Sequence, residues 1–138
     1  MEQEKNEEVE VIPTEPTEGE KEPENTSFTT LYQQVARRCY VTSEDQLIVE
    51  RLTSIIKNAE FSVKKLLGIF DEKFDFSLPS VENELFLNYC FYRWNNRSQK
   101  EFENNYIGDI IGIRTNNEIA YKKSLENKVE ENPNEGTL

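Results

Sequence analysis

Asp71, Glu72 and Asp75, in the stretch DEKFD, are the nearest approach to a metal-binding cluster in this chain. Three carboxylates so close could offer oxygen ligands to a hard cation, but they lack the central glycine and distal glutamate that an EF-hand loop uses. A solvated acidic loop is the simpler reading. A zinc site needs His or clustered Cys; the sequence has no His, and its two cysteines, Cys39 and Cys90, lie far apart without CxxC spacing. Both read as reduced, buried, small apolar residues. There is no glycine-rich phosphate loop and no nucleophile elbow. The residue types therefore point away from catalysis, with no metal and no cofactor expected.

Charge narrows the partners. The net charge of -11 is uneven: residues 1–26 hold ten Glu against two Lys, and residues 124–138 hold four Glu against one Lys. Between them acids and bases balance at thirteen each. Nucleic-acid affinity rests on clustered Lys and Arg displacing counterions. The basic pairs here, Arg37-Arg38, Lys64-Lys65 and Lys122-Lys123, are too scattered to form a stripe and read as solvated faces. The N-terminus lacks the basic region and apolar core of a signal peptide, and no apolar run approaches bilayer length. A protein made and used in a cytoplasm or a particle is expected, with no membrane partner.

These balances divide the chain into an acidic, disordered arm over 1–26, a helical domain over 27–123 and a flexible acidic tail over 124–138. The arm combines Glu with Pro13, Pro16, Pro23 and Gly19, a composition that buries too little apolar surface to offset its ordering entropy. Val9, Val11 and Ile12 are its apolar cluster. In the domain, Thr30 with Gln33 resembles a capping box ahead of a short helix over Leu31 to Cys39. Ser43 with Gln46 offers another, opening a long helix. Its apolar face carries Ile48, Leu52, Ile55, Ile56, Ala59, Val63, Leu66 and Leu67, and Gly68 ends it. Phe61 projects opposite that face. From Ile69 to Leu78 a loop alternates Phe74, Phe76 and Leu78, either as a short extended piece or as aromatic residues pinned over the helix ends.

The stretch from Glu84 to Arg114 concentrates the aromatic and aliphatic side chains. Ser80 is the expected N-cap of a helix starting at Val81. At about 100° per residue, Val81, Leu85, Tyr89 and Tyr92 share one stripe, and Phe86, Leu87, Cys90, Phe91 and Trp94 fill a second arc. A surface helix needs only one such face. Either this is the central helix of a small bundle, or the second arc meets another subunit, with Phe91 and Trp94 as aromatic anchors. Asn95 and Asn96 are suited to end the helix, and Ser98 with Glu101 predicts a new one carrying Phe102, Tyr106, Ile110 and Ile113. Gly108 and Gly112 either permit close backbone approach or loosen its end. Thr115-Asn116-Asn117 looks like a turn, with Glu118 to Tyr121 extended or a last helical turn.

Tyr89-Cys90-x-Tyr92-x-x-Asn95, then Phe102-x-x-Asn105-Tyr106, then the Ile-rich run ending at Arg114, resembles the signature of tailed-bacteriophage head-tail connector proteins. The resemblance extends from about Val41 to about Lys122. It implies a homo-oligomeric ring of about twelve subunits joined by heterologous contacts. The ring would sit in the virion between the portal protein and a tail-side stopper or tail-completion protein, and would extend a channel that DNA passes without specific binding. On this resemblance Glu118, Ile119, Ala120 and Tyr121 reach toward the portal.

The expected fold is all-α, a small bundle of about three to four helices, two of them long. Phe61, Phe86, Phe91 and Trp94 are expected between subunits. Ile48, Leu52, Ile55, Ile56, Ala59, Val63, Leu66, Leu85, Tyr89, Tyr92, Phe102, Tyr106, Ile110 and Ile113 are expected in the protomer core. The competing reading is an acidic binding protein, such as a DNA mimic that occupies a host enzyme; its support is the low isoelectric point, near 4.6. A helical partner in transcription is a third, without a basic recognition helix.

Overall fold

The computed structural model describes residues 22–131, with side chains from 26 to 129. Among them the chain is all-α, with five helices and no strand: α1 (Glu22–Arg38), α2 (Gln46–Leu67), α3 (Val81–Trp94), α4 (Gln99–Asn105) and α5 (Ile107–Glu131). The two longest are α2, with 22 residues, and α5, with 25. Helix α3 packs against α1, α2 and α4, while α5 packs on α2 and α4.

Helix α1 starts nine residues before the expected Leu31, so Thr30 lies inside it rather than at its cap. Glu22 to Thr26, assigned above to the arm, belong to this helix; residues 1–21 and their Val9, Val11 and Ile12 lie outside the described residues. Leu31, Val35 and Cys39 are buried, as their spacing required. The helix ends in a left-handed turn at Tyr40 (φ 59°), where the N–H of Val41 donates back to the carbonyl of Ala36 at 2.8 Å.

Helix α2 is capped two residues later than expected. The carboxylate of Asp45, not the hydroxyl of Ser43, accepts from the N–H of Leu47 at 2.9 Å. A negative cap also gains from the helix dipole, and Ser43 Oγ instead accepts from the N–H of Asp45. At the far end Gly68 takes the left-handed conformation (φ 68°). A Cβ there would lie 3.0 Å from Cγ of Arg114, so the glycine serves both the turn and a close approach of α5. Leu52, Ile56, Ala59, Val63, Leu66 and Leu67 are buried and Ile55 packs beside them, whereas Ile48 is half-buried and outside the core cluster.

Ser80 and Ser98 cap as expected: their hydroxyls accept from the N–H groups of Asn83 (3.0 Å) and Glu101 (3.1 Å). Asn96 ends α3 in the left-handed region (φ 62°), with the N–H of Arg97 donating to Tyr92 O at 2.8 Å. The helix expected to run from Ser98 through Ile113 is broken at Tyr106 (φ -119°, ψ 23°). The break leaves Phe102 edge-on to Tyr89 and Tyr92 while Tyr106 also reaches Tyr92. It then redirects the chain onto α2.

Beyond the break α5 runs straight through Thr115-Asn116-Asn117, where a turn was expected, and through Glu118–Tyr121. Tertiary bonds override the weak helix propensity of Asn: Arg114 Nε donates to Leu66 O and Asn117 Nδ2 to Leu67 O, both at 2.8 Å. These side chains satisfy the carbonyls that α2 leaves open at its end. Ser124 to Glu131, expected as tail, continue the helix; residues 132–138 lie outside the described residues. No helix among the described residues is long and apolar enough to cross a membrane.

Candidate subunit interface

The loop between α2 and α3 decides what the second face of α3 can do. Phe76 is buried and stacks on Phe86 with ring centroids 4.5 Å apart, and Phe74 meets Phe76 edge-on at 4.9 Å. Three polar groups lock that loop down. Asn83 Nδ2, inside α3, donates to Phe76 O (2.6 Å) and Gln34 Oε1 (3.0 Å), and Gln34 Nε2 on α1 donates to Ser77 O (3.0 Å). Asp75 accepts from the hydroxyls of Ser77 (2.6 Å) and Ser27 (3.0 Å) and from the N–H of Ser77. Desolvation works against its charge, but those hydrogen bonds together hold the Asp75 carboxyl below its ordinary pKa.

Phe86 is consequently fully buried, at 0% exposure, and cannot lie between subunits. Trp94 and Phe91 are half-buried against the protomer core. The Arg51 guanidinium lies 4.1 Å from the centre of the Trp94 ring and donates to its carbonyl at 2.7 Å, fastening α2 to the end of α3. The second arc is thus filled by the chain itself. Of the four residues expected at an interface only Phe61 stands free, 73% exposed. In the expected core, Leu85, Tyr89, Tyr92, Phe102 and Ile110 are buried and Tyr106 and Ile113 pack beside them, while Val81, placed on the same stripe, is exposed.

Of the acidic candidates, Asp71 accepts from the N–H of Lys73 and Asp75 is taken up as above, while the bond that Glu72 makes, to Lys64 Nζ, is through its backbone carbonyl. Among the described residues no group of three could hold a metal. Burial pushes the Cys39 thiol up to about 11 despite nearby Arg38 and Arg51, and raises Cys90 as well, so both stay protonated and unreactive. Arg38 bonds Glu84 at 3.1 Å and also Asn88.

Of the large apolar residues exposed among the described residues, half lie on α5, while Tyr40, Leu47 and Leu78 are exposed elsewhere. Ile107, Ile111, Ile119, Tyr121, Leu125 and Val129 are all exposed, and only Ile110 among the described side chains of α5 is fully buried. Ile107, Ile111, Leu125 and Val129 share one side of the helix; the sequence reading missed them, although their i, i+4, i+18, i+22 spacing was the available signal. The segment expected to reach a portal, Glu118, Ile119, Ala120 and Tyr121, lies on this exposed part, with Tyr121 stacked on Phe70 at 4.2 Å. Phe61, Phe70, Lys65 and Arg114 border a shallow depression of about 710 Å³ beside it. Where α3 and α5 diverge, a second groove of about 380 Å³ opens between Val81, Leu85 and Tyr106 on one side and Gly108, Gly112 and Ile113 on the other, rimmed by Glu84 and Asp109. In comparisons with known proteins, no family model matches this chain, and no curated protein or solved structure matches it significantly.

Proposed function

We propose that this protein is a non-enzymatic structural subunit that assembles head to tail into a ring. By the resemblance of its α3–α5 residues, that ring is the head-tail connector of a tailed-phage virion, set between the portal and a tail-side stopper and extending the DNA channel. The observation that carries the assembly reading is the outer half of α5. Its described side chains from Glu118 to Val129 are exposed, yet Ile119, Tyr121, Leu125 and Val129 are apolar. A helix of about that length is marginal alone in water, and apart from Tyr121, which stacks on Phe70, its apolar residues gain stability only against a partner. Phe61, beside the same end of the molecule, supplies a further apolar contact.

Balanced charge over 27–123 also suits a channel wall, since a strongly basic lining would retain passing phosphates. Native mass spectrometry and light scattering over a range of concentrations, alone and with a portal protein, test the proposal. A ring-sized species, or one that forms only with portal, is expected. A persistent monomer that ignores portal would overturn it.

A further inference from the structure

We propose that residues 7–12 of the acidic arm seat in the depression beside Phe61 and Phe70 of their own protomer. The contact is independent of ring assembly, and it employs Glu7-Glu8-Val9-Glu10-Val11-Ile12, where the apolar cluster of the arm is interleaved with acids. The depression has the matching make-up. Phe61 and Phe70, 73% and 54% exposed, are its large apolar groups, and its charged lining is Lys64, Lys65 and Arg114 against Glu118. Lys64 and Arg114 each give a donor to a neutral backbone carbonyl, that of Glu72 and that of Leu66, and Lys65 has no partner among the described residues. With Lys64 left out the lining is still positive.

Charge and apolar content select the occupant. Residues 1–21 hold eight Glu against two Lys, and 7–12 hold three Glu and no base. The other stretch outside the described residues, 132–138, has one Glu and one large apolar residue, Leu138. The adjoining depression at Phe28 sets Lys57, Lys64 and Lys73 against Glu60, Glu72 and Asp75, so an acidic segment gains less there.

The arm is also long enough. Helix α1 begins at Glu22, and its Phe28 ring has its centre 6.0 Å from Lys57 Nζ of α2. Helix rise puts Glu22 about 9 Å from Phe28 along α1 and Lys65 about 12 Å from Lys57 along α2, whereas the ten residues from Ile12 to Glu22 span up to about 33 Å. An arm seated there covers Phe61, so a contact between copies at Phe61 must displace it.

The test treats full-length protein, as an equal mixture of unlabelled and ¹⁵N-labelled chains, with a carbodiimide that joins a carboxylate to an amine touching it, and maps the products by mass spectrometry. Amides from Glu7, Glu8 or Glu10 to Lys65 within one chain are expected, in large excess over those to Lys57, Lys73 and Lys100. Val9→Ser with Val11→Ser and Ile12→Ser keeps every charge, and it is expected to cut the Lys65 product about tenfold because the apolar burial that seats the arm is lost. Phe61→Ala, at an exposed position whose loss leaves the fold intact, is expected to do the same. Products spread evenly over the lysines, or a Lys65 yield unchanged in both variants, overturn the seat. Lys65 products that join labelled to unlabelled chains overturn the placement on the same protomer and put the arm on a neighbouring copy.

Discussion

Helix α3 sets Phe86, Leu87 and Cys90 on one side and Leu85, Tyr89 and Tyr92 on the other, all buried by its own chain; α5 is the longer helix, and among its described side chains it fully buries only Ile110. Apolar content explains part of the contrast, since α3 has nine apolar residues in 14 and α5 nine in 25. Position in the topology adds to it: α3 has α1, α2, α4 and the Phe74–Phe76 loop around it, while α5 comes last, is fastened at Arg114 and Asn117 to the end of α2, and then continues past the core. The enclosed helix carries stability, and the projecting one is where the proposed assembly would find its contacts. An aromatic arc on a helix is thus weak evidence for an interface until its neighbours are known.

The contrast is broken most severely at Phe86. Phe86→Ala removes a fully buried ring stacked on Phe76, a change that costs about 3–5 kcal/mol. Urea denaturation followed by circular dichroism should show a large fall in midpoint or outright loss of the fold. Leu125→Ala, on the exposed outer part of α5, should shift the stability of the monomer by no more than about 0.5 kcal/mol. Comparable losses at the two sites would mean that the outer part of α5 packs on its own protomer. Trp94→Ala comes next. Its ring is half-buried and lies beneath Arg51, so truncation should cost the monomer about 1–2 kcal/mol. The mass of any assembly at native conditions should be unchanged; a variant of normal stability that fails to assemble would restore Trp94 to the interface.

The joint between the two regions gives a smaller, sharper effect. Gly68→Ala forces a left-handed residue and brings its Cβ to 3.0 Å from Arg114 Cγ, which should cost about 1–2 kcal/mol. Because Arg114 fastens α5 to α2, hydrogen exchange should rise at the start of α5 as well as at the end of α2. Faster exchange confined to the end of α2 would show that the close approach is not what seats α5.

The parts of this architecture governed by local rules were legible in the sequence. Ser80, Ser98, Gly68 and Asn96 end or begin helices by short-range chemistry, and the α2 stripe follows from period alone. Ser43 misled because Asp45, two residues on, competes for the same role with a charge. What was not legible depended on distant residues. Nothing around Asn117 says that its amide will find Leu67 O fifty residues away, so a turn was expected where the helix continues. Likewise the two faces of α3 were visible, but not that Phe76 from the preceding loop would fill one of them. Of the expected interface set, Phe61 alone kept its exposure; Leu125 and Val129 were overlooked because Thr115-Asn116-Asn117 reads as a turn that ends the periodic segment, and Ile107 and Ile111 because the apolar stripe runs through Ile110 and Ile113 instead.

The smallest expected effect probes how α3 is closed over. The Asp75 carboxylate joins Ser27 on α1 to Ser77 beside the Phe76 lid, and its pKa is lowered by those bonds against the opposing effect of burial. A carboxyl with a lowered folded-state pKa contributes stability that is present above its unfolded value, about 3.9, and is lost as pH falls through the lower folded value. Stability measured from pH 6 downward should therefore decline in that acidic window, and Asp75→Asn should start lower at pH 6 and show a shallower decline. Near-ultraviolet circular dichroism should report loosening around the aromatic rings of the lid before far-ultraviolet helicity falls. The hydrogen bonds of this clasp run to Ser27 and Ser77 and not to α5, so the mass of any assembly at neutral pH should be unaffected by Asp75→Asn. Failure of a folded Asp75→Asn variant to assemble where the wild type does would mean that the enclosed and projecting regions are coupled rather than independent.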